Sequence, residues 1–197
     1  YDPRTLQLAS LTDANGNVTE VKYTPLGLVS ALIVKGKPGD LGDTDAQPGT
    51  TFEYDLRAFE PDPEQPRKEL GPAWVHVKKR VWHAKQGVND DEIESRAYSD
   101  GFGRVLQTRA LAEDVRFGDP VFGEDVLPRE QGSELDRAAV VGRTRAPGAP
   151  PNVIVSGWQV YDNKGRVIEK YEPFYGEGFT WAAPVEDERG AKATLYY

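Results

Sequence analysis

The sequence of 197 residues contains no cysteine and no methionine. Without cysteine the chain can form no disulfide bond, thiolate nucleophile or thiolate metal site, so this residue type says nothing about its compartment. No run approaches the roughly eighteen apolar residues of a membrane-spanning helix. The first residues, Tyr1 to Arg4, lack the basic start and apolar stretch of a signal peptide. Because there is no initiator methionine, we expect the sequence to be part of a longer chain.

The charges are unbalanced toward the acidic side. The chain has 24 lysine and arginine residues against 32 aspartate and glutamate residues, which gives a formal net charge of −8. A surface of this sign repels a phosphate backbone and anionic lipid. We therefore expect no nucleic-acid partner and no attraction to an anionic membrane.

Apolar residues recur with period two far more often than with the 3.6-residue period of a helix, and β-branched and aromatic types dominate these stretches. The sequence therefore predicts an all-β chain. One short helix is predicted over 133–140, with Ser133 as its N-cap. The predicted strands are 17–23, 28–35, 52–59, 74–83, 92–98, 104–111, 153–161 and 166–171.

Two segments have the composition of connections. Residues 60–72 contain four prolines among charged residues, and because proline cannot donate to a central sheet ladder, this segment is predicted to be a linker or a sheet edge. Residues 112–151 are rich in glycine, proline and charge, with Phe117 and Phe122 as the only aromatics. We expect this second segment to be an insertion that lies on, or inside, a surface formed by the rest of the chain.

A short pattern of Asp, two variable residues, Gly, Arg or Asn, and Val occurs at residues 13–18, 100–105 and 162–167. The Asp side chain accepts hydrogen bonds from backbone N–H groups two residues on, and the Gly tolerates positive φ. The pattern therefore predicts a hairpin turn of the type I plus Gly bulge family. The residues to which we assign a structural role in such turns, and no chemical role, are Asp13, Gly16, Gly27, Asp100, Gly103, Tyr161, Asp162 and Gly165.

Tyrosine precedes the aspartate in the third copy, and weaker copies at 1–6 and 23–29 keep this tyrosine. The Tyr-Asp-x-x-Gly-Arg pattern at 161–166 resembles the YD repeat of Rhs proteins. The stretches 98–104 and 157–175 resemble, more specifically, the repeat region of the B component of bacterial Tc insecticidal toxins. The chain departs from the pattern in two weaker copies, which lack the Gly after Tyr1-Asp2 and have Thr at position 24, so the register of the first hairpins is left open.

The resemblance implies a fold. In that family the repeats form a long β-sheet strip that spirals into a hollow shell around a toxic C-terminal effector. We therefore expect an array of antiparallel β-hairpins that forms part of such a sheet and carries long loop insertions. The expected division is YD-type hairpins over 1–59, a Pro-rich linker over 60–72, a hairpin with an Asp-Gly-Phe-Gly turn over 73–111, a Gly/Pro-rich insertion over 112–151, and a YD-type hairpin with an exit strand over 152–197.

The resemblance also implies a function. It points to a non-enzymatic, structural segment of a secreted or extracellular toxin shell that encloses and carries an effector. The expected partners are other Tc-toxin-like or Rhs subunits and the effector polypeptide, and no cofactor is expected. An extracellular carbohydrate-binding or adhesion β-module shares the all-β pattern and the acidic charge, and it stays open as the alternative.

Two groups of residues have the chemistry of metal ligands. Asp40, Asp43 and Asp45 are spaced like the oxygen ligands of a Ca²⁺ loop, but a loop counted from Asp43 lacks the required Gly and Glu. A solvated acidic loop is the alternative. His76 and His83 are seven residues apart and would point to opposite faces of one continuous strand, which argues against a zinc site.

Catalytic patterns are few. No serine stands in a nucleophile elbow and no phosphate-binding loop is present. A hydrolase that uses paired carboxylates stays open as a third class; the candidate residues are Glu53, Asp55, Glu60, Asp90, Asp91 and Glu172. The basic run 78–80 beside Trp82 suggests a solvent face or an ion-pair partner for residues 90–94 more than nucleic-acid stacking.

Aromatic residues crowd the C-terminal part of the chain and have two interpretations. They pack across strands in a repeat array, or they form an exposed platform that stacks on sugar rings. These residues are Tyr161, Tyr171, Phe174, Tyr175, Phe179 and Trp181.

Overall fold

The structure, a computed structural model, describes residues 1–37, 39, 41–61, 70–84, 91–117, 142–182 and 192–197. All fourteen secondary-structure elements in this part of the chain are β-strands, and their pairings are antiparallel. The predicted all-β array of antiparallel strands is confirmed. These residues include no helix long and apolar enough to cross a membrane. The helix predicted over 133–140 lies outside the described residues, as do 62–69 of the linker and 118–141 of the insertion.

The chain divides into two compact units, Tyr1–Arg104 and Val105–Tyr197. In the first unit every strand pairs with its sequence neighbour, so the order of strands in the sheet is their order in the chain. Such a meander needs only short connections, and tight turns supply several of them. The strands are β1 (Ser10–Thr12), β2 (Val18–Tyr23), β3 (Val29–Lys35), β4 (Thr50–Asp55), β5 (Ala73–Arg80) and β6 (Glu92–Ser99).

One face of this sheet carries the buried strand residues of the first unit. The register places Ile33 of β3, His76 of β5 and Tyr98 of β6 on the same face, and all three are at most 4% exposed. The opposite face carries apolar side chains that are only half-buried, among them Leu32 and Val77. The period-two alternation of the sequence thus produces two different faces.

The second unit is built from shorter strands. The strands are β7 (Val105–Leu111), β8 (Val115–Phe117), β9 (Gly142–Thr144), β10 (Asn152–Ser156), β11 (Gln159–Tyr161), β12 (Val167–Tyr171), β13 (Phe174–Glu177) and β14 (Lys192–Thr194). Strands β7, β10 and β13 are neighbours in that order in one sheet, β11, β12 and β14 form a three-stranded sheet, and β8 pairs with β9.

Three predicted strands are shorter or broken in the structure, and a turn or the backbone geometry accounts for two of these differences. Asp55 accepts a hydrogen bond from the Arg57 N–H at 3.0 Å, which starts a turn after β4. Gly157 has φ +67° and breaks the third strand in two. The predicted strands 52–59, 74–83 and 153–161 correspond to Thr50–Asp55, Ala73–Arg80, and Asn152–Ser156 with Gln159–Tyr161.

The core of the second unit is an aromatic and aliphatic cluster. Val153, Val155, Trp158 and Tyr171 are each at most 9% exposed and pack together. The Trp158 ring meets the Tyr171 ring edge to face and stacks on the Trp181 ring, with centroids 5.4 Å apart in the stacked pair. Rings in these geometries stabilise a core beyond the area that they bury.

Candidate functional site

Three turns in the described part of the chain close with the same pair of backbone hydrogen bonds. In each, the first residue donates to the carbonyl four residues on, and the fourth residue, a glycine, donates back to the carbonyl of the first. The glycines have φ +83°, +79° and +77°, a region that residues with a Cβ adopt only under strain. The three turns span 13–17, 24–28 and 162–166, and their glycines are Gly16, Gly27 and Gly165.

The aspartate that begins the turn uses both of its carboxylate oxygens. In the 162–166 turn, Asp162 Oδ1 accepts from the backbone N–H groups of Lys164 and Arg166 at 2.9 and 2.8 Å. The other oxygen, Oδ2, accepts from the Arg166 guanidinium at 2.8 Å. The Arg166 N–H and then its guanidinium hold the pKa of Asp162 below its ordinary value. The side chain at the fifth position of the motif therefore bonds to the second carboxylate oxygen of the aspartate at the first position.

The first copy repeats this arrangement with an asparagine in place of the arginine. Asp13 Oδ1 accepts from the Asn15 and Asn17 N–H groups, and Oδ2 accepts from the Asn17 side-chain amide at 2.9 Å. The Asn17 side chain is the main cause of a lowered pKa at Asp13. Sequence comparison of the copies showed Arg or Asn at this position, but the bond back to the aspartate emerged only from the structure.

The turn at Asp100 differs from the other copies. Both Gly101 and Gly103 have positive φ, at +79° and +81°. Asp100 Oδ1 accepts from the Phe102 and Arg104 N–H groups, and Oδ2 pairs with the Arg104 guanidinium. Partial burial raises the pKa of Asp100, but the bonds from Arg104 and Phe102 outweigh it and the net direction is downward.

The two weaker copies show how the turn forms without its usual residues. At 24–28, Thr24 replaces the aspartate, and its Oγ1 accepts from the Leu28 N–H at 3.1 Å. At the start of the chain, the Gly position is occupied by Thr5, and the positive φ falls one residue later, at Leu6, with a value of +57°. The Arg4 side chain then donates to the Thr24 carbonyl, which ties the two copies together.

The tyrosines of the repeat connect their turns to a preceding segment. The Tyr23 hydroxyl donates to the Leu8 carbonyl at 2.6 Å. The Tyr161 hydroxyl donates to the Val105 carbonyl at 3.2 Å. In both cases the acceptor lies at or near the start of a strand, so the tyrosine fixes the hairpin relative to the chain before it.

Two of the three aspartates with the spacing of Ca²⁺ ligands have protein partners. Asp43 Oδ2 accepts from the Val34 N–H at 3.0 Å, and Asp45 pairs with Lys22 and Lys35 at 3.2 and 3.1 Å. Asp40 lies outside the described residues. Within the ranges that the structure describes, no three His, Asp or Glu side chains group as they would around a metal ion.

The two histidines have different surroundings. His76 is 4% exposed; its Nδ1 accepts from Arg96 Nε at 3.0 Å, so its Nε2 carries the proton and donates to Glu94 at 3.0 Å. Burial is the main cause that lowers the pKa of His76. The Arg96 guanidinium also lies 4.1 Å from the Trp74 ring centroid. His76 is thus part of a cross-strand ladder on the buried face.

His83 lies beyond the end of β5 and meets a residue forty positions earlier. Its Nδ1 is 2.8 Å from Asp43 Oδ1, and the Asp43 side chain is only 1% exposed while that of His83 is 45% exposed. The pair borders a cavity of about 280 Å³. Because the sequence separation is long and no motif contains both residues, no sequence signal indicated this contact.

Two of the candidate carboxylates and four of the C-terminal aromatics have structural partners. Asp55 caps a turn and Glu60 pairs with Arg57, while Asp90 lies outside the described residues. Of the C-terminal aromatics, Tyr171 is 4% exposed and belongs to the core, with Phe174, Phe179 and Trp181 packed against it. Packing therefore accounts for these four aromatics, which do not form an open platform.

No family model and no curated protein sequence matches the chain, but solved structures do. The crystal structure of TcdB2-TccC3 aligns with 89% of this chain at a TM-score of 0.58 and 20% identity. The crystal structure of TcdB2-TccC3-TEV aligns with 95% at 0.59 and 19% identity, and that of TcdB2-TccC3-Cdc42 with 89% at 0.55 and 17% identity. The match spans only 8% of the first of these chains and 11% of the other two.

At these identities the likeness is one of fold. TcdB2-TccC3 combines the B and C components of a Tc toxin. The resemblance to Tc toxin B components that the repeats indicated is therefore confirmed at the level of the fold, over nearly the whole of this chain.

Proposed function

We propose that this chain is a structural segment of a Tc-toxin-like or Rhs β-shell that encloses and carries a toxic effector polypeptide, and that it catalyses no reaction. The observation that carries the proposal is the shared fold with TcdB2-TccC3 over 89–95% of the chain. The repeated turn supports it independently, because the Tyr-Asp-x-x-Gly-Arg pattern is a feature of the sequence itself.

The arrangement of strands in the first unit is suited to the wall of a β-shell. Each strand of the first unit pairs with its sequence neighbour, so such a sheet grows by one hairpin at a time and has no intrinsic end. The Asp-to-backbone bonds fix each turn, and the tyrosine hydroxyls tie turns to preceding segments. These contacts give rigidity and shape, which is what enclosing another polypeptide requires.

The remaining expectations are part of this proposal. The partners are other Tc-toxin-like or Rhs subunits and the enclosed effector, the location is secreted or extracellular, and no cofactor takes part. The division into hairpins over 1–59 and 73–111, connections over 60–72 and 112–151, and a final hairpin over 152–197 is also proposed.

The first test is to sequence the gene on both sides of this segment. Further copies of the Tyr-Asp-x-x-Gly-Arg pattern are expected on at least one side. A gene that continues into a surface anchor or a catalytic domain without further copies would contradict the shell and favour the binding module.

The second test uses the full-length gene product, purified and imaged by electron cryo-microscopy. We expect a closed shell with density inside it, and an effector region that resists protease until the shell is denatured. The control is the effector region produced alone, which should be digested under the same conditions. Equal digestion of the effector in the intact product would overturn the proposal.

A further inference from the structure

The hydrogen bonds around His76 fix the protonation state of its ring. A guanidinium N–H can only donate a hydrogen bond, so the 3.0 Å contact from Arg96 Nε requires a lone pair on His76 Nδ1. The ring proton is therefore on Nε2, which donates to Glu94 Oε2 at 3.0 Å. In this arrangement His76 is neutral, and it cannot take up a second ring proton without losing the bond from Arg96.

Charged side chains from both neighbouring strands share the face of β5 on which His76 lies. The Arg96 guanidinium contacts two residues of β5, since it also lies 4.1 Å from the centroid of the Trp74 ring. A change in the position of Arg96 therefore alters the contacts of β6 with two positions on β5. The charged residues next to His76 in the register are Glu53 and Asp55 on β4, Lys78 on β5, and Glu94 and Arg96 on β6.

The surroundings of His76 disfavour its charged form. The His76 side chain is 5% exposed, and burial is the largest cause that moves its pKa, downward from the ordinary 6.5. The Glu94 carboxylate raises the pKa of His76, while the charges of Arg96 and Lys78 lower it, and the net direction is downward. The neutral ring that the hydrogen bonds require is thus also the form that burial favours.

We propose that the pairing of β5 with β6 is a pH-sensitive joint in the sheet, in which uptake of a second ring proton by His76 displaces the Arg96 side chain and lets the two strands separate more readily. In the neutral arrangement Arg96 contacts both His76 and Trp74. In the protonated arrangement both ring nitrogens are donors, so Arg96 must leave the ring. The inference rests on the first unit alone and holds whether or not the chain encloses an effector.

Proton linkage gives the direction and the size of the effect. The opened segment takes up its proton near the ordinary pKa of 6.5, whereas the folded pair does so only at lower pH because the pKa of His76 is lowered there. The stability that neutral His76 contributes is therefore complete above pH 6.5 and is lost as the pH falls from there toward the folded pKa. One proton changes the opening equilibrium by at most about tenfold per pH unit.

The first test is NMR of the imidazole nitrogens in the purified His83→Gln variant, in which His76 is the one remaining histidine of the two in the chain. At about pH 8, where an ordinary histidine is neutral, we expect a proton on Nε2 and none on Nδ1. Both nitrogens should become protonated on acidification, with a midpoint below 6.5. This measurement leaves His76 and its ladder intact.

The second test is backbone amide hydrogen exchange from about pH 7.5 to about pH 5.5, expressed as protection factors so that the intrinsic pH dependence of exchange cancels. Below pH 6.5 the protection of the β5 and β6 amides should fall, by up to about tenfold per pH unit. Strands β10 and β13 serve as the internal control, because the second unit contains no histidine, and they should not show this loss.

Two variants assign the effect to His76. In His76→Gln the amide oxygen can accept from Arg96 and the NH₂ group can donate to Glu94, but the side chain does not titrate, so the loss of protection in β5 and β6 should disappear. His83→Gln is the matched control, since it makes the same substitution at the other histidine, and the loss should persist in it. Thermal unfolding of each variant checks that it is folded.

Several results would overturn the proposal. They are a ring proton on Nδ1 at about pH 8, a protonation midpoint at or above 6.5, and protection of β5 and β6 that does not fall with pH or falls equally in β10 and β13. An unchanged loss of protection in folded His76→Gln would do the same, because another group would then be responsible. If His76→Gln does not fold, the NMR midpoint and the exchange of the His83→Gln variant still decide the question.

Discussion

The turn at 162–166 and the turn at the start of the chain begin with the same Tyr-Asp pair but close differently. In the first, the Asp162 N–H donates to the Arg166 carbonyl at 2.9 Å; in the second, the Asp2 N–H donates to the Gln7 carbonyl at 2.8 Å, one residue further along. The left-handed residue is Gly165 in the first turn and Leu6 in the second. The turn that lacks glycine is therefore one residue longer.

The aspartate behaves alike in both turns. Asp2 Oδ1 accepts from the Arg4 and Thr5 N–H groups at 2.9 Å, as Asp162 Oδ1 accepts from two N–H groups of its own turn. The comparison separates the two roles. The aspartate starts the turn whether or not glycine follows, while the glycine fixes the length at which the chain returns.

The largest effect is expected from Gly165→Val. Gly165 has φ +77°, and a β-branched residue held there is strained by about 1–3 kcal/mol. The chain should either keep the turn with a strained backbone or form a turn that is one residue longer, as it does at the start of the sequence. In either case the free energy of unfolding, measured by urea denaturation, should fall by that amount.

Two variants control this experiment. Lys164→Val places the same side chain at an exposed neighbour whose φ is negative, and it should be nearly neutral. Gly165→Asn should fall between the two, because asparagine tolerates the left-handed region better than valine. Unchanged stability in Gly165→Val would contradict the role of glycine in this turn.

A smaller loss is expected from Asp162→Ala. The substitution removes the acceptor for the Lys164 and Arg166 N–H groups, but both of these groups lie near solvent and regain water. Asp162→Asn keeps a side-chain oxygen and should lie between wild type and Asp162→Ala in urea midpoint. A larger loss of stability in Asp162→Ala than in Gly165→Val would contradict the expectation that the glycine contributes more to the stability of this turn than the aspartate does.

Acid should weaken both turns. The pKa values of Asp2 and Asp162 lie below the ordinary 3.8, chiefly because of the Thr5 N–H in one and the Arg166 N–H in the other. The unfolded chain therefore binds these protons at higher pH than the folded chain. The stability that the carboxylates contribute is present above pH 3.8 and is lost as the pH falls through their folded pKa values.

Urea midpoints measured from about pH 5 to about pH 2 check this sign. Asp2→Asn and Asp162→Asn should each flatten the acid slope, and by similar amounts if the aspartate acts alike in both turns. Glu172→Gln, which removes an exposed carboxylate outside the turns, is the matched control for the loss of one negative charge. A flattened slope in only one of the two aspartate variants would mean that the aspartate does not act alike in the two turns.

The local features of the fold were predictable because they depend on neighbours in sequence. The period-two alternation and the Asp-x-x-Gly pattern predicted strands and turns from a few adjacent residues, and the resemblance to Tc toxin B components followed from the same motif. Strand ends were less accurate, since alternation of side chains continues past Asp55 while the backbone turns there.

Contacts between distant residues were not predictable. His83 and Asp43 are forty residues apart, and their contact depends on how the chain beyond β3 and the end of β5 approach each other. Similarly, the Gln107 side chain, which is fully buried, accepts from Arg109, which in turn donates to the Glu177 and Gly178 carbonyls. Such bonds satisfy buried polar groups only after the fold has formed, so a single sequence contains no pattern for them.

The smallest expected effect is a gain in stability, from Leu6→Gly. Leu6 is 79% exposed and has φ +57°, so its side chain buries little while its backbone is strained by about 1–2 kcal/mol. Glycine relieves the strain but adds about 0.5–1 kcal/mol of entropy to the unfolded chain, which leaves a net gain of about 0.5 kcal/mol.

The control is Leu26→Gly, which removes the same side chain from a turn position that is 77% exposed and whose φ is negative. With no strain to relieve, Leu26→Gly should lower the free energy of unfolding, so the two identical substitutions should change urea midpoints in opposite directions. A loss of stability in both variants would mean that Leu6 is not strained, and that the longer turn accommodates a missing glycine without any penalty.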